Sequence, residues 1–504
     1  MTFQEFKELV IAECAAQGIA EYELYYQVGS STSVDTFQHS INEFSSSHTG
    51  GLCFRCIVNG KMGYASTEAL NAEQAKAVVA KAVDNAINLE AEEAVFLGEG
   101  GQEYEPLEDR SYPLPTTEEL IAKVMETTEK LYAADAMAVD GCQTNGIIET
   151  SEVAIYNSKG LDLHQVSNVS GLVAVGVVSN GKEMSNDYQI KLGKLDEIDT
   201  DELVKKAIDG AKEKLGGEVA PTGQYPVIFN SEAMCSLLGV YAGIFNSEAA
   251  QKGLSKLAGK EGEVIAAACV TLVDDPFHKE NPEPMNFDAE GSPTHKKAVI
   301  ENGVLNTLLY NLKTAAVAGK KTTGNASKAG YDAAVGIRPF TMYLEGGEMT
   351  EEELLRKAGN GVYITDLSGL HAGADSISGD FSLQSAGYMI ENGKKTTYVK
   401  AFTVAGNFYE LLKNIVAMAN NCHLPRVMGS TAFGAPSVLV DGLSVAGKKT
   451  HAGHIRLDVP GLRFPPHSNW SILERAARAS LAERLRPQAR TDLRAAGAER
   501  NQFL

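Results

Sequence analysis

Two apolar periodicities alternate along the chain, one near 3.6 that marks amphipathic helix and one of two that marks half-buried strand. Apolar positions from Phe3 to Gln17 recur at helical spacing, and Gly18 closes that segment. Strands are predicted at 21–28 and 33–41, then at 51–58 and 62–66. The last two are joined by Asn59-Gly60, which supplies the left-handed residues of a tight hairpin. Asn71 caps a helix reaching about Glu90, with Gln74 placed as in a capping box. Glycine, proline and acids from Gly98 to Pro115 read as a linker. The pattern then partly recurs, with a helix from Thr116 to about Ala134, several strands between Met137 and Leu192, and a helix near Asp201 to Leu215. Gly216-Gly217 and Pro221-Thr222-Gly223 mark the entry to a third region.

The third region opens with the apolar run Tyr225 to Phe229, a predicted strand. Asn230 or Ser231 can cap the helix that follows, and Glu232 favours its positive N-terminus. Met234, Leu237, Leu238, Tyr241 and Phe245 then recur at helical spacing, so by itself this segment reads as a buried core helix. The expected architecture is α+β. An N-terminal helix–sheet region lies in two parts, 1–97 and 116–220, joined by a linker at 98–115. A larger strand-rich C-terminal domain follows at 221–449, and 450–504 stands apart.

The 504 residues hold core for about two to four domains. A net charge of −20 argues against nucleic acid, which rewards a basic face. No apolar run is long enough to span a bilayer, and acids stand near the N-terminus where a signal peptide needs basic residues. A cytoplasmic location is expected. Nine of the 14 arginines lie after Lys449 and no lysine does, so 450–504 reads as sequence foreign to the rest. Seven scattered cysteines give no disulfide framework. Cys53 and Cys56, three apart on a predicted strand, should face opposite ways.

Several clusters could carry chemistry. Asp274-Asp275 through Glu280, with Asp288 and Glu290, is the most metal-like, since hard cations want converging oxygens. Its prolines make it a loop, and such acidic loops are ordinarily solvated. His371 and Asp375 sit in the glycine-rich Gly369 to Asp375, which with Gly379 and Asp380 could line a groove for extended peptide. A connector needing tight turns is the plainer reading. Gly442 to Lys449 approaches a phosphate loop but has Lys449 in place of the Ser/Thr and no helix after it.

Ordered blocks then point to a family. These are Asp288-Ala289-Glu290-Gly291-Ser292-Pro293 with Val299 to Leu305, Gly379-Asp380-Phe381-Ser382 with Gly387 to Gly393, and Gly434-Ala435-Pro436-Ser437-Val438-Leu439-Val440. Together with Gly50 to Arg55 and Gly63 to Thr67, they resemble the TldD/PmbA family of metallopeptidase subunits over nearly all of residues 1–447. In the family's active branch the helix after the first strand of the third region carries His-Glu-x-x-x-His, two zinc ligands and a glutamate base. The matching positions here are Gly239, Val240 and Ile244, none of which binds zinc or moves a proton. Histidines five apart need a distorted helix, and Gly243 stands where distortion is easiest. Cys422-His423 lies near the region of the active branch's third ligand, a cysteine, although Met428-Gly429-Ser430 is the closer match. The resemblance is thus to the PmbA (TldE) branch. It implies a subunit without metal, paired with a zinc-bearing TldD-like sister or with itself, acting on unfolded peptide. A non-catalytic peptide-binding homodimer and an independent hydrolase with an unrecognised site are the alternatives.

Overall fold

The computed structural model describes residues 1–90, 94–108, 112–281, 283–428 and 431–447, and the side chains of 425–428 are not described. The foreign-sequence expectation for 450–504 therefore falls outside the described residues.

The chain begins with α1 (Phe3–Gln17), capped by a Thr2–Glu5 box and closed by left-handed Gly18. Next come β1 (Glu21–Phe37), β2 (Ser40–Val58), β3 (Lys61–Thr67) and α2 (Ala72–Asn88). The central part holds α3 (Thr117–Ala133), β4 (Gln143–Asn157), β5 (Asp162–Ser179), β6 (Met184–Leu192) and α4 (Thr200–Glu213). These strands form one six-stranded sheet in the order β3-β2-β1-β4-β5-β6. The two predicted parts share this sheet, because β1 pairs with β4 continuously from Glu23–Asn157 to Asp35–Asn145.

Strand alternation divides the faces of this sheet. On β1, Tyr22 and Leu24 pack under α1 and α2, and Val34 packs under α3 and α4. Tyr25 points the opposite way, with Cys53, Val153 and Ile155, into a cluster that includes Phe287 of the third region. Cys53 and Cys56 accordingly fall in different clusters on opposite faces. Asn59-Gly60 forms the expected hairpin, with φ of 53° and 75°. The predicted strand at 33–41 is corrected. The chain reverses at Gln38-His39, φ 48° and 61°, so that β1 ends at Phe37 and β2 starts at Ser40. Neither residue advertises a turn, and the polar run after it stays extended because ladder bonds to β1 hold it.

The third region comprises β7 (Glu218–Val219), β8 (Gly223–Phe229), α5 (Ser231–Tyr241), α6 (Ser247–Gln251), β9 (Leu272–Asp274), β10 (Lys297–Glu301) and β11 (Val304–Leu305). It continues through α7 (Leu312–Ala318), β12 (Ala326–Ser327), β13 (Gly336–Ile337), β14 (Thr341–Leu344), α8 (Glu351–Ala358), β15 (Gly361–Ser368) and α9 (Leu370–Gly373). It finishes with β16 (Asp380–Glu391), β17 (Lys394–Asn407), α10 (Phe408–Lys413), β18 (Ile415–Met418), β19 (His423–Met428), β20 (Thr431–Ala435) and β21 (Val438–Ala446). One sheet runs β11-β10-β9-β14-β20-β19. A seven-stranded sheet runs β18-β21-β8-β15-β16-β17-β7 and closes on itself through β17–β21. Gly442 to Ala446 lies in β21, a strand rather than a phosphate loop. Helix α5 lies between the two sheets, against β8 and β15 on one side and β19 and β20 on the other. Among the described residues no helix is long and apolar enough to cross a membrane.

Candidate functional site

The N-terminus of helix α5 is anchored to both sheets. The Asn230 side chain accepts from the Ala233 N–H at 2.8 Å, and the Asn230 N–H donates to the Ile364 carbonyl at 2.9 Å. Ser231 Oγ donates to the Ala435 carbonyl of β20 at 2.6 Å. Met234, Leu237, Leu238 and Tyr241 are at most 1% exposed, each burial contributing about 1.5–3 kcal/mol. At Ala242 the helix tightens into a 3-10 turn through Phe245, so the distortion falls around Gly243.

The positions matched to the zinc motif do not share one environment. Gly239 and Val240 are half-buried on the open side of α5, in line with exposed Glu232 and Gly243. Ile244 lies in the 3-10 turn and is 1% exposed, within the main core. No His-Glu dipeptide occurs anywhere in the sequence. Among the described residues no group of three or more His, Cys, Asp or Glu side chains is placed to hold a metal ion. Gly239, Val240 and Ile244 themselves carry no zinc donor. Strand β19 runs beside α5, but residues 429 and 430 lie outside the described residues. Cys422 Sγ donates to the Leu344 carbonyl at 3.2 Å, and the His423 ring meets the Asn421 carbonyl at 3.2 Å.

The glycine-rich loop comes to the opposite flank of α5. Its first turn is α9, which packs on α5 and exposes His371. Asp375 and Asp380 are brought together through main chain, since the Asp375 N–H donates to the Asp380 carbonyl at 2.9 Å. Tyr241 Oη donates to the same carbonyl at 2.8 Å, and the Tyr241 ring stacks on Phe408 with centroids 4.4 Å apart. Burial pushes the Tyr241 hydroxyl up, away from neutral titration. Asn407 Nδ2 donates to Asp380 Oδ1 and to the Ser378 carbonyl, both at 2.8 Å. Lys256 Nζ reaches that carbonyl too, at 2.6 Å. Hydrogen bonds from Asn407 and Ser378 hold the Asp380 carboxyl below its ordinary range. The Ser378 and Ile377 N–H groups do the same for Asp375. Both carboxylates stay charged and exposed. Sequence patterns did not single out Tyr241, Asn407 and Lys256 for this role. Asn407 is legible as the cap of α10, but its partner 27 residues away is not.

The acidic cluster differs from its expected solvated loop. Asp274 is fully buried, paired with Lys297 at 3.1 Å and accepting from Asn325 and the Phe340 N–H. Asp288 accepts three backbone N–H bonds, from Glu290, Ser292 and Ala326, each at 2.9 Å. Glu290 accepts from the Leu312 N–H at 2.8 Å and lies near the buried Arg55–Glu23 pair, whose closest approach is 2.7 Å. Burial raises both carboxyls, Asp288 to about 6 and Glu290 to about 7, with Asp288 adding to the rise at Glu290. This cluster seals the junction between the N-terminal sheet and the third region. The predicted linker is part of the seal: Tyr104 Oη donates to the Gly291 carbonyl at 2.7 Å, and Leu97 is buried.

An open six-stranded helix–sheet unit is thus joined to a two-sheet domain built around one central helix, and sequence comparison assigns this arrangement to a family. Residues 22–86 match PmbA/TldA metallopeptidase domain 1, 111–215 the central domain and 222–447 the C-terminal domain. The chain belongs to the PmbA/TldD metallopeptidase family. A metalloprotease of Methanothermobacter thermautotrophicus is 27% identical over 395 residues, covering 76% of this chain and 84% of that one. The metalloprotease PmbA of Escherichia coli O157:H7 is 26% identical over 296 residues, 58% of this chain and 62% of PmbA. Among solved structures, a Thermotoga maritima protein given as a candidate modulator of a DNA gyrase aligns with TM-score 0.80 and 31% identity. That alignment spans 88% of this chain and all of the other. TldE of Thermococcus kodakarensis aligns with TM-score 0.78 at 24% identity, over 88% of this chain and 99% of TldE, a likeness of fold.

Proposed function

We propose that this chain is the non-metal subunit of a two-subunit zinc peptidase that cleaves unfolded peptides in the cytoplasm. One observation carries the reading. In a domain matching the metallopeptidase C-terminal model, the central helix is intact and anchored to both sheets, yet its open side offers no metal donor at Gly239 or Val240. Metal chemistry then belongs to a TldD-like sister. This chain contributes the wall of the groove, with α5 as floor and the loop carrying His371, Asp375, Gly379 and Asp380 as one rim. Hydrogen bonds from Tyr241, Asn407 and Lys256 to main-chain carbonyls fix the rim, which suits a surface that meets variable peptide backbone.

The test is reconstitution. Alone, the chain should carry no stoichiometric zinc by elemental analysis and should not cleave an unfolded peptide. With a TldD-like sister from the same cell it should co-purify and support cleavage that a chelator abolishes. Cleavage by this chain alone would overturn the reading in favour of an independent hydrolase. Peptide binding by a homodimer that never cleaves with any sister would favour a binding protein.

A further inference from the structure

We propose that the junction between the N-terminal sheet and the C-terminal domain is a proton-controlled joint, closed while the buried pair Asp288 and Glu290 holds one proton and loosened when that proton leaves. The inference does not depend on the proposed function. The loop that carries the pair is stapled to the sheet and connector from several sides. Tyr104 reaches the Gly291 carbonyl, Asn286 Nδ2 reaches the Glu105 carbonyl at 2.8 Å, and Gln165 Nε2 reaches the Pro284 carbonyl at 2.6 Å. Phe287 is 2% exposed against the sheet. Packing is close enough that a Cβ on Gly98 would sit 2.2 Å from the Glu290 carbonyl oxygen. Little room remains for water to solvate a second buried charge.

Among the described residues, the charges facing the pair come from the sheet, the connector and the C-terminal domain. The sheet contributes Glu23 and Arg55, which neutralise each other across β1 and β2. The connector contributes Tyr104, and β1 contributes Tyr25, both hydroxyls kept neutral by burial. On the C-terminal side Lys297 is already committed to Asp274, Lys328 lies over the Tyr25 ring at 4.5 Å, and Arg338 lies over Phe340 at 5.4 Å. Among the described residues, Arg55 is the guanidinium that faces both Glu23 and Glu290. Asp288, with three N–H donors, suits the ionised form. Glu290, with one, suits the protonated form.

The direction follows from linkage. A carboxyl that keeps its proton in the closed state and loses it when exposed stabilises closure most on the acid side. That advantage is lost as pH rises through the raised value, near neutrality. Each such carboxyl changes the opening equilibrium by up to about tenfold per pH unit across the window.

Cys53 reports on the joint, since it lies buried in the junction cluster, whereas Cys14 is buried under α1 and α2. The full chain and its Glu290→Gln variant are labelled with iodoacetamide from about pH 5.5 to about pH 8, and each cysteine is quantified by peptide mass spectrometry. Thiol ionisation cancels in the ratio of wild type to variant at one pH. At Cys53 this ratio should climb about tenfold or more across that range, while at Cys14 it does not change with pH. A flat Cys53 ratio, or a Cys14 ratio that climbs equally, would overturn the joint. If Glu290→Gln does not fold, the wild type alone decides, and a Cys53-to-Cys14 ratio that stays flat across the same pH range overturns the joint equally.

Discussion

Gly379 lies in the loop between α9 and β16, and its replacement by alanine separates two physical costs. Its φ is 83°, a left-handed conformation that costs an L-residue about 1–2 kcal/mol. An added Cβ would also stand 2.4 and 2.7 Å from two atoms of the Tyr409 ring, closer than real contacts allow. Tyr409 is 8% exposed, its hydroxyl accepts from the Lys256 N–H at 3.3 Å, and it cannot swing away freely. Such overpacking costs about 1–3 kcal/mol, for a total near 2–5 kcal/mol. In a Tyr409→Leu background the ring overlap vanishes but the backbone strain persists, so Gly379→Ala should then cost only about 1–2 kcal/mol. The assay is urea unfolding of the four chains of the cycle. Far-UV circular dichroism is the suitable probe, since the sole tryptophan, Trp470, lies outside the described residues. Two substitutions additive within about 0.5 kcal/mol would refute the overlap argument.

Tyr241→Phe should cost about 0.5–1.5 kcal/mol in the same assay. The Asp380 carbonyl keeps the Asp375 N–H when the tyrosine hydroxyl is gone. A loss above about 3 kcal/mol would mean the carbonyl depends on Tyr241 alone. Arg55→Met leaves Glu23 and Glu290 without their guanidinium and should cost about 3–5 kcal/mol, more at about pH 8 than at about pH 5.5, because acid protonates the stranded carboxyls. Equal melting-temperature losses at both pH values would count against that assignment. Gly239→His, Val240→Glu and Ile244→His together should destabilise the chain by about 2–4 kcal/mol, mainly through the buried Ile244. Catalytic zinc normally takes three protein ligands, so binding should stay weak. Tight stoichiometric zinc in this variant, measured by elemental analysis, would show that a third ligand exists.

Local chemistry was enough to place most elements. The capped helices at Phe3, Asn71, Thr116 and Asn230, the Asn59-Gly60 hairpin and the alternation that turns Cys53 from Cys56 each depend on neighbours a few residues apart. Such signals survive in the sequence because side-chain spacing sets helix and strand faces directly. The family blocks were legible for the same reason, as short ordered runs. Long-range pairing was not legible. Only the β1–β4 ladder made the two N-terminal parts one sheet, and only hydrogen bonds from neighbouring strands kept the polar run after Gln38-His39 extended. The acidic cluster looked solvated because its partners, Lys297, Asn325, Arg55 and the backbone of Ala326, lie tens to hundreds of residues away. Asp380 likewise gained Tyr241 and Asn407 only when β16 and β17 were laid beside α5. Charge and turn residues state what a side chain can do, whereas burial and a partner's position decide what it does, and both are properties of the assembled fold.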